Sequence, residues 1–255
     1  MNIIASLRSS APNHKYDFKN YSLDNNDVRL LEPMAKKDGV GLYYNSIISF
    51  LQAIHSFQKS SISWGCVEIY YSLFYCLRSQ LYLSDYVLIR DGGLYLVKIK
   101  ERESPIKKNN KKYNTDHGGT INFFLDTFGD SDFMNSNNID GVSYYEWIND
   151  LRETTNYRVK SFREPDTFSE IANTINIFNS IGVNSFLENI SQDWGTYCFS
   201  SDYILISGVY RKIREVSKLY KKQEIKLSQD QNEYISSFKS KIGISKEIVN
   251  LFIEE

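Results

Sequence analysis

The sequence predicts a mainly α-helical protein, an antiparallel helical bundle interrupted by a small β-hairpin at about 86–99 and followed by additional C-terminal helices. Trp64 to Leu83 is apolar on nearly every side, with Glu68 and Arg78 its only charges, the pattern of a helix buried in a core. Between Tyr86 and Ile99 the hydrophobic period drops from 3.6 to 2 around Asp91-Gly92-Gly93, and Asp-Gly between β-branched and aromatic runs is a hairpin signal. From His117 onward apolar residues again recur at helical spacing behind capping signals.

Taken in order, residues 1–41 hold turn formers (Pro12, Asn13, Asn25, Asn26, Gly39, Gly41) and read as an arm with a short helix at Asp27 to Lys36. Leu42 to Phe57 places Tyr43, Ile47, Phe50, Leu51, Ile54 and Phe57 on one stripe, which predicts a packed helix. After the central helix and the hairpin, Lys107 to Asn114 is too polar to bury and is expected to be an exposed, mobile basic loop. Asp116 is expected to cap a helix that turns Ile121, Phe124, Leu125 and Phe128 inward. Ser143 and Glu146 form a capping box, as do Thr167 and Glu170, because each side chain satisfies the other's free backbone N–H. Gly182 ends or kinks the second of these helices, and Gln192 to Tyr197 is the expected subdomain joint. A long helix follows from Ser201 to about Lys222, then shorter ones at about Gln229 to Lys241 and Ser245 to Ile253. The predicted organisation is thus an arm at 1–41, a bundle at 42–191 with an insertion at 86–115, and a helical extension at 192–255 packed on the bundle.

Composition narrows the chemistry. Cys66, Cys76 and Cys198 form no C-x-x-C pair and the chain has only 3 His, so no disulfide framework, no metal site and no cofactor are expected. The motifs G-x-x-x-x-G-K-S/T, G-x-G-x-x-G, G-x-S-x-G and H-E-x-x-H are missing from the sequence, which argues against those enzyme classes. Apolar runs stop short of a membrane span and the first residues lack a signal-peptide pattern, so a soluble, cytoplasmic protein with no membrane partner is expected. Net charge is -1, but Lys98 to Lys112 carries seven Lys/Arg against two Glu, and Asp126 to Glu153 seven acids against one Arg. Global electrostatics therefore do not select nucleic acid, and local patches decide.

The order of three segments carries a resemblance. IYYSLFYCLRSQLYL, then HGGTINFF, then INDLRETTNYRVKSFREP resembles the HEPN superfamily, in which an aromatic-rich Y-Y-A/S-L/M-F helix precedes a helix opening with His-Gly and a helix ending in Leu-Arg and Asn/Asp-Tyr. The resemblance spans roughly Ile62 to Ile190. It implies a compact bundle, often dimeric, in a prokaryotic anti-phage defence or toxin–antitoxin system. Members are either metal-independent ribonucleases or silent modules that bind a partner encoded nearby. The ribonucleases pair an Arg with a His about five to seven residues further on, the His moving a proton and the Arg stabilising charge on the attacked phosphate. Here Arg152 is followed at that distance by Tyr157, Arg158 and Val159. The one literal match, Arg8 to His14, contains Pro12 and is set aside as chance. The expectation is therefore a partner-binding module, with a rewired ribonuclease as the alternative.

Candidate residues follow from both routes. For the ribonuclease alternative the catalytic set is Arg152, Asn156 and His117, with Arg152 and Asn156 sharing a face by their i, i+4 spacing. The alternatives for these are an interface polar ladder and, for His117, a ring bonded to a neighbouring carbonyl. For contact with RNA, Arg211, Arg214, Lys218 and Lys222 are expected to track phosphates, with Arg158, Lys111 and Lys112 as further cations and Tyr113 stacking on a base. Arg78 is either salt-bridged to an acid such as Glu146 or Glu153, or turned toward phosphate.

Overall fold

The computed structural model describes residues 18–139, 141–158 and 169–245. Over these residues the protein is mainly helical, with nine α-helices and two short antiparallel strand pairs. The helices are α1 Asn25–Gln58, α2 Ile62–Leu83, α3 Asp116–Phe128, α4 Tyr144–Glu153, α5 Ser169–Ile181, α6 Val183–Gln192, α7 Trp194–Tyr197, α8 Ile204–Lys222 and α9 Gln229–Ile242. The strands are β1 Tyr86–Arg90, β2 Leu94–Lys98, β3 Asn138–Ile139 and β4 Val142–Ser143. The Arg8 to His14 match, the Thr167/Glu170 capping box and the helix expected at Ser245 to Ile253 lie outside the described residues or side chains. Two compact units emerge, one from Met1–Leu42 and Leu77–Gly129, the other from Tyr43–Cys76 and Asp130–Glu255.

The expected arm is not a separate element. Instead of a short helix and a later one from residue 42, α1 runs unbroken for 34 residues through Pro33, Gly39 and Gly41. Its start is fixed by a reciprocal cap, in which the Asp27 backbone N–H donates to Asp24 Oδ1 (2.9 Å) and the Asp24 N–H to Asp27 Oδ2 (3.0 Å). Gly39 is there for proximity: a Cβ would stand 3.3 Å from Tyr82 Cβ, and Ser79 Oγ donates to the Gly39 carbonyl at 3.0 Å. A residue type that usually breaks helices thus lets two helix backbones approach.

In the first unit β1 pairs antiparallel with β2 in the register Tyr86↔Lys98 to Arg90↔Leu94. The turn is the expected Asp91-Gly92-Gly93, with Gly92 at φ +59, a left-handed conformation that glycine adopts without strain. Both faces of the hairpin are largely buried. Ile106 then bridges back to Leu96 through two backbone bonds of 2.8 and 2.9 Å. The basic stretch is therefore not a free loop. Asn110 caps a single 3-10 turn at Lys111–Tyr113, and Tyr113 buries its ring edge-on to Phe123 at 4.8 Å while its hydroxyl donates to Asp126 (2.8 Å). One aromatic anchor orders a segment that polarity alone marks as mobile. Thr115, not Asp116, caps α3 by accepting from the Gly118 N–H. At Gly119 a Cβ would stand 2.3 Å from Leu94 and 3.0 Å from the Tyr113 carbonyl.

The second unit packs around α8. Tyr43 stacks on Tyr220 (4.4 Å) and Phe50 on Tyr210 (5.7 Å), and Ser46 and Ser72 each donate to the other's carbonyl at 2.8 Å. Gly208 lies so close to Tyr144 that a Cβ would stand 2.6 Å from its ring. The Ser143/Glu146 capping box starts α4 as expected. Gly182 separates α5 from α6 at φ +81. At the expected joint the chain forms the short helix α7, and residues on both sides of it belong to the same unit. The expected C-terminal extension thus supplies this unit with a helix that buries one long face.

Candidate functional site

The candidate catalytic residues belong to different compact units. His117 is half-buried in the first turn of α3, in the first unit, whereas Arg152 and Asn156 belong to the second. Arg152 is 5% exposed. Its guanidinium lies over the Tyr70 ring (4.9 Å) and nearer α4's end faces Tyr157 (5.9 Å). It donates to Asn149 Oδ1 at 3.3 Å and to Glu153 Oε1 at 3.4 Å. Burial pushes the Tyr70 hydroxyl above its ordinary range, with Arg152 pulling the other way.

Asn156 does not share that face. Beyond Glu153 the chain widens into a π-helical turn, Thr154–Arg158, and Asn156 is exposed while Arg152 is buried. A π turn advances more residues per revolution than an α turn, so the i, i+4 rule that pairs them no longer applies. Thr155 keeps the turn closed by donating to the Leu151 carbonyl (2.9 Å). Arg158 is exposed and sits 3.6 Å from Asp150 and 3.7 Å from Glu153.

The cations expected at nucleic acid meet different fates. Lys111 and Lys112 are exposed, but Tyr113 is only 9% exposed, so its ring is not presented to a base. Arg78 donates to the Tyr82 hydroxyl at 3.2 Å with its guanidinium 5.8 Å from that ring. Of the acids suggested for it, Glu146 takes part in the Ser143 capping box and Glu153 contacts Arg152 and Arg158. The α8 row splits. Arg211 pairs with Glu215 (2.9 Å) and lies over Phe133 (4.9 Å) and Trp194 (5.3 Å). Arg214 also lies over Trp194 (5.3 Å), and Lys218 and Lys222 are exposed.

Sequence reasoning missed the most concentrated charge in the unit. Lys212 and Asp132 each have side chains 1% exposed. Lys212 Nζ donates to Asp132 Oδ2 and to Glu215 Oε2 (3.1 Å), and Tyr145 donates to Asp132 Oδ1 at 2.6 Å. With Arg211 on Glu215's other oxygen, five side chains form one continuous network whose formal charges cancel. Burial alone lowers the Lys212 pKa, but Asp132 and Glu215 outweigh it and the group is held above its ordinary value. The signal was present: position 212 falls beside Val209, Ile213 and Val216 on the apolar side of the helix, where a lysine demands an acid.

Nearby thiols offer no nucleophile. Burial pushes Cys76 up to about 12 and Cys198 up to about 11, so both are thiols at neutral pH. Among the described residues no group of three or more His, Cys, Asp or Glu is placed to hold a metal ion, and no helix is long and apolar enough to cross a membrane. Compared with models of protein families, with curated proteins and with solved structures, the chain matches none of them.

Proposed function

We propose that this chain is a HEPN-like, partner-binding component of a prokaryotic anti-phage defence or toxin–antitoxin system, working as a homodimer or in complex with a protein encoded nearby. The observation that supports this reading over RNA cleavage is the state of Arg152. An arginine that stabilises a phosphorane must bring unspent charge to the phosphate. Here the guanidinium is buried over Tyr70 and bonded to Asn149 and Glu153, while Asn156 is exposed. The motif position also lacks a histidine to move the proton.

The test has two arms. Total RNA incubated with the full chain without added metal is expected to stay intact; cleavage that disappears in Arg152→Ala would overturn the reading in favour of the ribonuclease. Co-expression with the neighbouring gene product is expected to give a complex that survives size exclusion. A chain that remains alone and monomeric at micromolar concentration contradicts the proposal.

A further inference from the structure

The outer face of α8 joins two kinds of surface. At one end Phe199, 45% exposed, meets Phe133 edge-on at 5.3 Å, and Phe133 carries the Arg211 guanidinium. Arg211 and Arg214 both lie over Trp194. From Arg214 the row continues through Lys218 to Lys222 at i, i+4 and i+8, and among the described residues no carboxylate pairs with any of these three. One turn of helix separates successive cations by about 6 Å along the axis. An apolar edge thus runs directly into a stripe of unpaired positive charge.

Resting on the partner-binding reading and adding its surface, we infer that this face docks an acidic polypeptide segment, an amphipathic helix with carboxylates at matching i, i+4, i+8 spacing and an apolar side chain set against Phe199. Charge complementarity selects an acidic occupant. Three details select polypeptide over nucleic acid. The Trp194 ring already carries two guanidinium groups and is not open to a base. Arg211 is neutralised by Glu215. Asp193, next to Trp194 and with its carboxyl held below the ordinary value by donation from the Thr196 hydroxyl and backbone, repels a continuous polyanion but tolerates a segment of mixed charge. Arg and Trp are also the side chains that most often anchor protein interfaces.

Fluorescence anisotropy of the full chain tests this with three labelled probes: an Ala-based peptide carrying Glu at i, i+4 and i+8 and one Leu, poly-L-glutamate, and a short oligouridylate. The peptide is expected to bind, to weaken about tenfold in K218E/K222E, and to be unchanged in K36E/K37E, an exposed pair elsewhere. Phe199→Ser is expected to weaken the peptide and leave poly-L-glutamate unchanged. Peptide binding that ignores K218E/K222E, no binding at all, or tighter binding of oligouridylate that is lost in K218E/K222E each overturns the inference. So does self-association in sedimentation equilibrium that K218E/K222E abolishes, which assigns the face to a second copy. If K218E/K222E still co-purifies with the neighbouring gene product, the surface falls while the partner-binding reading stands; if the unmodified chain captures nothing, that reading falls first.

Discussion

Lys212 and Arg152 are two buried cations of one compact unit, held by opposite means. Lys212 is surrounded by oxygen, with Asp132, Glu215 and, through Asp132, Tyr145 closing a network. Arg152 is surrounded by rings, its guanidinium over Tyr70 and its bonds to Asn149 and Glu153 long. The difference follows from the head groups. An ammonium is a compact, strongly hydrated charge that tolerates burial only against carboxylates, whereas a planar guanidinium sheds water more readily and stacks. Both arrangements leave little charge for a ligand, whereas Lys218 and Lys222 on the outer face of α8 are exposed.

The largest effect is expected at Lys212. Lys212→Met leaves Asp132 buried without a counter-charge and is expected to cost about 3–5 kcal/mol in urea denaturation. K212M/D132N, which keeps an acceptor for Tyr145, is expected to recover at least half of that. Equal losses in the single and double variants would mean that packing, not charge, decides the site.

Alkali provides the next largest effect. Cys76, beside this network, is pushed from an ordinary thiol value of about 9 up to about 12 by burial. Lys212 is likewise held above its ordinary value. A group with a raised folded pKa binds its proton more tightly folded than unfolded, so its contribution is complete below the unfolded pKa and lost as pH rises. The urea midpoint is expected to be flat from about pH 6 to 8 and to fall from about pH 9 upward, with Cys76 alone withdrawing up to about 4 kcal/mol by pH 12. K212M is expected to flatten the part above about pH 10.5.

Gly208→Ala probes the packing that holds Tyr144 and Tyr145 in place. A Cβ 2.6 Å from the Tyr144 ring forces the helix or the ring to move, with an expected loss of about 1–3 kcal/mol. Thermal unfolding reads it, and an unchanged midpoint means that the ring yields freely. The smallest effect is expected at the other cation. Arg152→Ala is predicted to cost about 1–2 kcal/mol, and Arg152→Lys nearly as much, because an ammonium cannot reproduce the stack on Tyr70. Full recovery by lysine would place Arg152 in the same class as Lys212.

Several elements were legible because local signals agree with the tertiary ones. The all-round apolar stretch is α2, Asp91-Gly92 is the hairpin turn, Ser143 and Glu146 start α4, and Gly182 separates two helices. In each, one residue's chemistry forces one backbone outcome. The errors share the opposite character. Gly39 and Pro33 are helix breakers by propensity, yet α1 passes through both, and at Gly39 the gain is close approach to Tyr82. Lys107 to Asn114 has the composition of a mobile loop, yet one buried Tyr113 and one Asn110 cap order it.

The candidate site was legible in residue type and illegible in grouping. Helical spacing paired Arg152 with Asn156, but a π turn of one extra residue moves them apart, and hydrophobic periodicity does not report such a turn. Side chains within a few residues of each other settle the helical class, the hairpin turn and the Ser143 cap, though at α3 the cap is Thr115 and not Asp116. Folding alone settles which cations are used up inside, Lys212 by an aspartate 80 positions away and Arg152 by a tyrosine from another helix. It likewise settles which cations, Lys218 and Lys222, stay on the surface. Desolvation and counter-charge are set by neighbours distant in the chain, and no local pattern contains them.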